Sequence, residues 1–282
     1  MTSIARALRR AIIGGVLVSA KALAQSSAPA SNSGVLINGR DAALFAGATA
    51  ATALLSRFDV RIARAFADSG LHTRHPGLTT AAKRTSLVTE TVIMLTGSGV
   101  WGIARLAHDR STADVAFHTT EAVASGASFI QVVRGALGRA RPYVIDDAGE
   151  RRDADPYEFD LLHGFTSFNY RSFPSMHAMA SFGAASALVQ EMRVRHTPGR
   201  AELAPLIYTA ASMPGLARMY LDEHWTTDIA LGVFLGVFAG QKAVLYSHDH
   251  PNNRIDRVFL KPTVRATIVV DPRGLSFSLL PF

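Results

Sequence analysis

The stretch "RSFPSMHAMASFGAASALVQEM", residues 171–192, predicts a buried helix that begins directly behind a proline. The run from Ala178 to Val189 is rich in alanine and apolar nearly all round, which is typical of a helix at the centre of a bundle. Ser175 fits the N-cap of this helix, and Pro174 stops the helix from extending backwards. The stretch therefore places a serine and a histidine at the start of a core helix.

The start of this helix is suited to an anion. The free N–H groups of Met176 and His177 would point out of a helix end that carries partial positive charge. His177 would stand at the same place and could exchange a proton near neutral pH. A capped helix with an incidental histidine is the alternative that this segment alone leaves open.

Further apolar runs predict more helices, at residues 42–55, 86–106, 113–137, 203–217 and 228–245. Most of these runs contain a charge or a break before the roughly 18 clean apolar residues that a membrane span requires. Glu90 interrupts the second of them and Glu121 the third. We expect an all-α helical bundle that is soluble or membrane-associated.

Two segments differ from this helical pattern. Residues 143–172 are charged and largely irregular, and loops of this length in a compact domain are usually lids or binding loops, with a solvated connector as the alternative. Residues 266–280 contain two strand-like runs around Asp271-Pro272-Arg273-Gly274, a turn signal. The tail is therefore predicted to form a short C-terminal β-hairpin.

The N-terminus has the form of a secretory signal peptide. Residues 1–24 carry three arginines, then an apolar stretch too short for a membrane span, then the small-residue pattern Ala22-Leu23-Ala24. Cleavage after Ala24 would place the mature chain in the periplasm or in the membrane-associated cell envelope. An uncleaved anchor is the alternative. A polar linker of small residues is expected to follow, at residues 25–40.

Charge and cysteine content exclude several classes of function. The segment 1–24 holds four basic residues and no acidic ones, so the net charge of +7 for the full chain falls to +3 without it. Such a small balance does not favour nucleic acid binding. The chain has no cysteine, which excludes cysteine zinc sites and thiol nucleophiles.

A basic segment precedes the long irregular one. In "VVRGALGRARP", residues 132–142, Arg134 and Arg141 are seven residues apart and would share one helix face, with Pro142 placing Arg141 at the helix end. Two guanidinium groups converging from one face would bind a tetrahedral oxyanion well. Arg139 is assigned to the alternative, a solvated basic face.

A second segment offers a histidine and a carboxylate at helical spacing. In "ARMYLDEHWTTD", residues 217–228, His224 and Asp228 are four apart and would stack one turn apart on a helix. The aspartate could accept the Nδ1–H of His224 and leave Nε2 free as a nucleophile. Arg218 lies six residues upstream as a further oxyanion ligand. A metal-binding pair and a helix-surface ion pair are the alternatives.

Together the three segments resemble the type 2 phosphatidic acid phosphatase superfamily. The pattern of that family is Lys-x6-Arg-Pro, then Pro-Ser-Gly-His, then Ser-Arg-x5-His-x3-Asp. In this chain it stands as Arg134-x6-Arg141-Pro142, Pro174-Ser175-Met176-His177 and Ala217-Arg218-x5-His224-x3-Asp228. The resemblance extends over about residues 90–245 and implies a helical bundle of the acid phosphatase and haloperoxidase type.

Three positions depart from the family pattern. Arg134 stands in place of lysine and keeps the charge, so contact with phosphate should survive with altered geometry. Ala217 stands in place of serine, which should remove one hydrogen bond to the oxyanion. Met176 stands in place of glycine and keeps the backbone N–H, but its side chain must find room. Activity is expected, with a shifted substrate preference.

The resemblance implies a metal-independent phosphomonoesterase that acts through a phosphohistidine. His224 would attack phosphorus while Asp228 holds its ring, and His177 would protonate the leaving alkoxide. The phosphate ligands implied by the match are Arg134, Arg141, Ser175, Met176 and Arg218. No metal ligand and no cofactor are expected, although vanadate could occupy the same site as a phosphate mimic.

The expected role is hydrolysis of lipid phosphates or small phosphate esters in the cell envelope, with a membrane surface as a candidate partner. Vanadium-dependent haloperoxidases share the site pattern and are one alternative, but those chains are usually much longer. A non-catalytic phosphate- or lipid-binding protein is another, and the intact His177, His224 and Asp228 weigh against it. The sequence gives no indication of oligomeric state.

The expected domains follow from these assignments: a signal peptide at 1–24, a linker at 25–40, the helical phosphatase domain at 41–260 and a hairpin tail at 261–282. The remaining histidines are predicted to have no functional partner. His248 and His250, in "SHDH", look like a metal-binding pair but are predicted to lie in a solvated loop after the last helix. His118 and His163 belong to the group without recognisable partners.

Overall fold

The structure, a computed structural model, describes residues 37–66, 69–146 and 148–260, and the backbone of two strands beyond them. The predicted signal peptide and most of the predicted linker lie outside this part. The helices are α1 (Gly39–Leu55), α2 (Asp59–Phe66), α3 (Ser69–Arg74), α4 (Pro76–Thr85), α5 (Glu90–Leu106), α6 (Arg110–Leu137), α7 (Met176–Val194), α8 (Arg200–Tyr220), α9 (Thr226–Asp249) and α10 (Arg254–Phe259).

The six predicted apolar runs correspond to the six long helices, α1 and α5 to α9, so the all-α prediction is confirmed. The apolar pattern does not predict α2, α3, α4 and α10. These helices have only six to ten residues, too few for a periodic pattern to stand out.

Helices α7 and α9 form the centre of the bundle and approach each other closely. Three glycines of α9, one turn apart, face the backbone of α7: Gly232, Gly236 and Gly240. A Cβ atom at any of the three would lie less than 3.0 Å from a backbone atom of α7 or of its N-cap Ser175. Only glycine therefore permits this contact, which fixes the two helices against each other.

Apolar side chains pack on both sides of this helix pair. One cluster joins α7, α8 and α9 around Phe182, Tyr208 and Val237, and a second joins α6, α7 and α9 around Ile130 and Phe234. The core thus holds the beginnings of α7 and α9 next to the end of α6. These are the three places where the sequence motifs lie.

Helix α6 ends four residues before Arg141, at a turn that only glycine allows. Gly138 is the C-cap with a φ of 57°, and a Cβ there would collide with the carbonyl oxygen of Asp160. The chain then enters the segment 143–172, which packs across the bundle end through a small β-ladder (β1, Tyr143–Ile145, with β2, Arg151–Asp153) and two 3₁₀ turns.

The C-terminal hairpin is also confirmed. Strand β3 (Val264–Asp271) pairs antiparallel with β4 (Gly274–Pro281), from the pair Val264 and Pro281 to the pair Asp271 and Gly274. The predicted turn at Asp271–Gly274 therefore closes the hairpin, and the ladder begins two residues earlier than predicted.

By length and composition, α9 could cross a membrane, and α4 with α5 form a second candidate bent by 57°. Half of the apolar window in α9 is buried against the other helices, as expected for the core helix of a bundle. Helix α5 differs, because Leu95, Ile103 and Leu106 are 68%, 70% and 83% exposed along it.

Candidate active site

The start of α7 has the predicted form. Ser175 is the N-cap, fully buried, and its Oγ accepts from the Ala178 N–H at 3.5 Å. The Met176 side chain, for which the sequence left room uncertain, packs into the core with Ile130 and Phe234. Its backbone N–H is the first of α7 and has no acceptor within the helix.

His177 lies beside Ser175 at the same helix end. Its Nε2 donates to the Ser86 carbonyl oxygen at 3.1 Å, which ties the start of α7 to the corner between α4 and α5. Burial lowers the pKa of His177 to about 4, and the positive charge of Arg218 adds to this, while the hydrogen bond to Ser86 opposes it. The site therefore disfavours a second proton on this ring in the absence of an anion.

His224 and Asp228 form the predicted pair. Both are buried, and His224 Nδ1 lies 3.3 Å from Asp228 Oδ2. Burial lowers the pKa of His224 to about 3, and the charge of Arg141 contributes, against the opposing effect of Asp228. The imidazole of His224 is thus neutral over most of the pH range. Asp228 contacts Nδ1, so Nε2 is the ring nitrogen that this carboxylate does not bind.

Asp228 is held from several directions. Oδ2 accepts from Ser172 Oγ at 2.5 Å and from the Trp225 N–H at 2.8 Å, and Oδ1 accepts from Arg139 at 2.6 Å. Burial would raise the pKa of Asp228, but the charge of Arg139 and the hydrogen bonds outweigh it and lower the pKa below its usual value. The carboxylate is therefore fixed and ionised.

The sequence predicts that Arg139 lies on a solvated face, and that prediction is wrong. It is only 3% exposed, and its guanidinium donates to Asp59 at 2.9 Å and to Thr227 Oγ1 at 2.7 Å, as well as to Asp228. The reason is the turn at Gly138, which ends α6 before Arg139 and directs its side chain inward. Helical spacing consequently has no bearing on where this arginine points.

The same turn changes the argument for Arg134 and Arg141. They do not share a helix face, because α6 ends at Leu137. Arg134, in the last turn, donates from Nε to Gln131 Oε1 at 2.9 Å. The charges of Arg218, Arg141 and Arg134 each lower the pKa of His177, so all three guanidinium groups lie around this histidine.

Arg141 and Arg218 are joined by Glu223, which sequence reasoning did not identify. Arg141 donates to Glu223 Oε2 at 2.5 Å, and Arg218 donates to the same oxygen at 2.9 Å. Burial lowers the pKa of Arg141 to about 10, in spite of Glu223, and also lowers the pKa of Arg218. The position of Glu223, next to His224, was the signal available in the sequence.

Ala217 packs among apolar side chains. It is 6% exposed and lies with Ala82 and Tyr220 in a small cluster between α4 and α8. The position at which the family motif has serine is therefore occupied here by an alanine that packs between two helices. Arg218, the next residue, has its Nε buried without a hydrogen-bond partner among the described residues.

Two predictions about the other histidines are wrong. His248 lies within α9, not in a loop after it, and contacts Glu191 at 3.1 Å. His118 is buried and its Nδ1 lies 2.5 Å from Glu191 Oε1. His163 also has a partner, Asp160, at 2.8 Å on the surface.

A comparison with family models matches residues 116–252 to the PAP2 superfamily, the type 2 phosphatidic acid phosphatases. The matched residues make up just under half of the chain. The match contains all eight predicted site residues, from Arg134 to Asp228. The predicted family is confirmed, and with it the enzyme class, a phosphatase. PAP2 phosphatases use no metal, and the expected lack of a cofactor agrees with this.

One solved structure similar to the chain is described as the first transmembrane PAP2 type phosphatidylglycerolphosphate phosphatase from Bacillus subtilis. The identity is 19%, the match covers 76% of this PAP2 chain and 97% of the other, and the TM-score is 0.46. No curated protein matches the sequence.

Proposed function

We propose that this PAP2 phosphatase hydrolyses phosphate monoesters of lipids through a phosphohistidine intermediate. His224 Nε2 attacks phosphorus, so that a P–N bond forms as the P–O bond to the leaving group breaks. His177 gives its proton to the departing alkoxide, and water then releases phosphate from His224. The observation that carries the proposal is the buried His224–Asp228 pair, whose Nδ1 contact at 3.3 Å leaves Nε2 as the nucleophile.

The phosphate would bind where Glu223 now lies. Its carboxylate sits between the guanidinium groups of Arg141 and Arg218, at 2.5 Å and 2.9 Å, which is the charge pattern a phosphate oxygen needs. Ser175, the Met176 N–H and Arg134 complete the proposed set at the start of α7. Fixed guanidinium groups and a helix N-terminus neutralise the charge that develops in the transition state.

The proton inventory supports the assigned roles. With a pKa of about 3, His224 is unprotonated and nucleophilic at any ordinary pH. The pKa of His177, lowered to about 4 by burial and by the arginines, rises when a phosphate dianion neutralises those arginines. His177 therefore gains its proton with the substrate in place, which suits a general acid.

A lipid substrate is supported by the surface next to these arginines. The segment 143–172 exposes seven large apolar side chains, and Phe168 among them is 60% exposed while its ring lies 3.9 Å from the Arg141 guanidinium. The exposed side of α5 adds Leu95, Ile103 and Leu106. Apolar surface beside an anion site suits a molecule with a phosphate head and an acyl tail.

This substrate places the enzyme at a membrane surface of the cell envelope. Export by the N-terminal signal peptide, cleaved after Ala24, is part of the proposal, as are the domain limits at residues 40 and 260. The segment 143–172 would then control access, because it covers the site through the contact of Arg141 with the Phe168 carbonyl oxygen at 3.1 Å.

The test is phosphate release by the purified protein in detergent with EDTA, using phosphatidic acid, a polyprenyl diphosphate and p-nitrophenyl phosphate. His224→Gln, which keeps the size of the side chain and removes the nucleophile, should abolish release and should not form the acid-labile phosphoenzyme seen by ³²P trapping. Ala217→Ser is the matched control, since it restores the family residue and should retain or raise activity. Turnover that survives His224→Gln would refute the mechanism, and a preference for p-nitrophenyl phosphate over phosphatidic acid would refute the lipid substrate.

A further inference from the structure

A second group of histidines and carboxylates lies inside the bundle, away from the active site. His118 of α6, Glu191 of α7 and His248 of α9 each offer one ligand atom, and these atoms lie within 4.8 Å of one another. His118 Nδ1 is 2.5 Å from Glu191 Oε1, and His248 Nε2 is 3.1 Å from the same oxygen. Three helices thus converge on one carboxylate oxygen.

The group has an unsatisfied atom that points to a ligand. His118 is 4% exposed, and its Nε2 has no hydrogen-bond partner among the described residues. The atom facing it is Asp256 Oδ2 of α10, at 3.9 Å, which is too far for a hydrogen bond. A small movement of the ring toward Asp256 would satisfy Nε2 and turn Nδ1 into the space shared with Glu191 and His248.

Neighbouring side chains hold the members of this group in place through hydrogen bonds. Arg195 donates from Nε to Glu191 Oε2 at 2.6 Å, which leaves Oε1 for the interior. Ser247 Oγ donates to Asp256 Oδ1 at 3.3 Å, so that Oδ2 is the oxygen free for His118. Glu121 adds another buried carboxylate oxygen without a partner among the described residues. Carboxylates therefore outnumber the single guanidinium, and the balancing positive charge can be supplied by a proton on His118 or by a bound cation in its place.

We propose that His118 Nδ1, Glu191 Oε1 and His248 Nε2 bind a divalent transition metal ion, zinc being the ion that best fits two imidazoles and a carboxylate. Zinc–ligand bonds of about 2.0–2.2 Å in a tetrahedral site place ligand atoms about 3.4 Å apart. The two spacings to Glu191 Oε1, 2.5 Å from His118 and 3.1 Å from His248, would each widen by less than about 1 Å to reach this distance. Binding displaces the proton on His118 Nδ1, which goes to solvent, and moves the proton of His248 from Nε2 to Nδ1, so that both ligand nitrogens have a free lone pair.

The ion would have a structural role. The group lies sixteen residues from Arg134 along α6 and twenty from Asp228 along α9, which corresponds to about 24 Å and 30 Å of helix. It is therefore at the end of the bundle opposite to the active site, where it would join α6, α7 and α9. With Asp256 orienting His118, it would also hold α10 against them.

The experiment measures zinc binding and thermal stability on the full protein after dialysis against EDTA. One zinc ion per chain should bind, and saturating zinc should raise the Tm by about 5–10 °C when its concentration is about 100 times the Kd. Cobalt in its place should give the intense d–d absorption of a tetrahedral site. His248→Gln, at a position 30% exposed and therefore tolerant of change, should abolish both effects.

His163→Gln is the matched control, because His163 also contacts a carboxylate, at 2.8 Å, but has no second histidine beside it. It should bind zinc as the unaltered protein does. Glu191→Gln gives a second variant, which should lose the cobalt absorption. A protein that binds no zinc, or a His248→Gln variant with undiminished binding, would overturn the proposal and leave the group as a hydrogen-bonded network only. Neither result depends on phosphatase activity.

Discussion

The bundle contains two buried histidine–carboxylate pairs, His224–Asp228 at one end and His118–Glu191 at the other. The two aromatic rings belong to the same residue type and are equally buried, at 4% exposure each. Burial and the arginines lower the pKa of His224 to about 3. Burial acts in the same direction on His118, but Glu191, Asp256 and Glu121 outweigh it and raise the pKa.

The two pairs differ in the charged groups that surround them. Around His224 the extra charges are guanidinium groups, which prepare a site for an anion and leave the imidazole neutral. Around His118 the extra charges are carboxylates, which prepare a site for a cation. One pair is therefore suited to attack a phosphate and the other to bind a metal ion.

The largest effect is expected from removal of the general acid. His177→Gln should lower turnover of phosphatidic acid by about 10²–10⁴-fold, because the alkoxide then leaves without a proton. Turnover of p-nitrophenyl phosphate, whose leaving group needs little protonation, should fall much less. Stopped-flow phosphate release measures both, and zinc binding at the far end should not change. An equal loss with the two substrates would contradict the role of His177.

The next largest effect is on stability, and it differs between the two arginines that donate to Asp228 and to Glu191. Arg139→Met removes a guanidinium that is 3% exposed and leaves Asp59 and Asp228 without their partner, so the free energy of unfolding should fall by about 3–5 kcal/mol. Arg195→Met removes one that is 27% exposed from Glu191 and should cost about 1 kcal/mol or less. Urea denaturation of both variants, at constant buffer, measures the difference.

A smaller effect is expected at Glu223, whose carboxylate competes with phosphate for Arg141 and Arg218. Glu223→Gln keeps the shape and removes the charge, so KM and the inhibition constant for inorganic phosphate should both fall by about 5- to 30-fold, equivalent to about 1–2 kcal/mol. Steady-state kinetics with phosphate as inhibitor tests this. A rise in KM would mean that Glu223 positions the two arginines and does not compete for them.

The pH profile should show the smallest effect. In the free enzyme, the acid His177 is lost as pH rises through about 4, and the nucleophile His224 is lost as pH falls through about 3, so kcat/KM should peak at acid pH. The upper limb of kcat should lie at higher pH, because bound phosphate neutralises the arginines. Arg134→Gln should move the upper limb of kcat/KM upward by a fraction of a unit, since Arg134 contributes least of the three. If the upper limb does not move, Arg134 has no effect on the pKa of His177 and is not part of the site.

The sequence was sufficient for the long helices, the C-terminal hairpin and the cap of α7. Their signals are local: an apolar run, a turn between two strand-like runs, and a serine behind a proline. The resemblance to a family gave the eight site residues. The residues that hold the site residues in place could not be predicted, because Asp59 meets Thr227 across 168 residues of chain and Ser172 meets Asp228 across 56. No spacing rule connects positions so far apart.

Arg139 and Glu223 show why individual residues were misassigned. A helical face was assumed for Arg139, but the turn at Gly138 ends the helix first and sends the side chain inward. Glu223 was passed over because nothing in its own segment indicates that Arg141, 82 residues upstream, would donate to it. Likewise His118 and Glu191 are 73 residues apart and meet only when α6 packs on α7.

The glycine contact between α7 and α9 has a consequence for how this enzyme could diversify. Because the two backbones touch, main-chain atoms set the distance between His177, the proposed acid on one helix, and His224, the proposed nucleophile before the other. Side-chain replacement cannot move these atoms. The segment 143–172 contributes neither group, and its last residue, Ser172, is the one that donates to Asp228. New substrates could therefore be acquired by rewriting that segment, while the reaction itself is inherited unchanged.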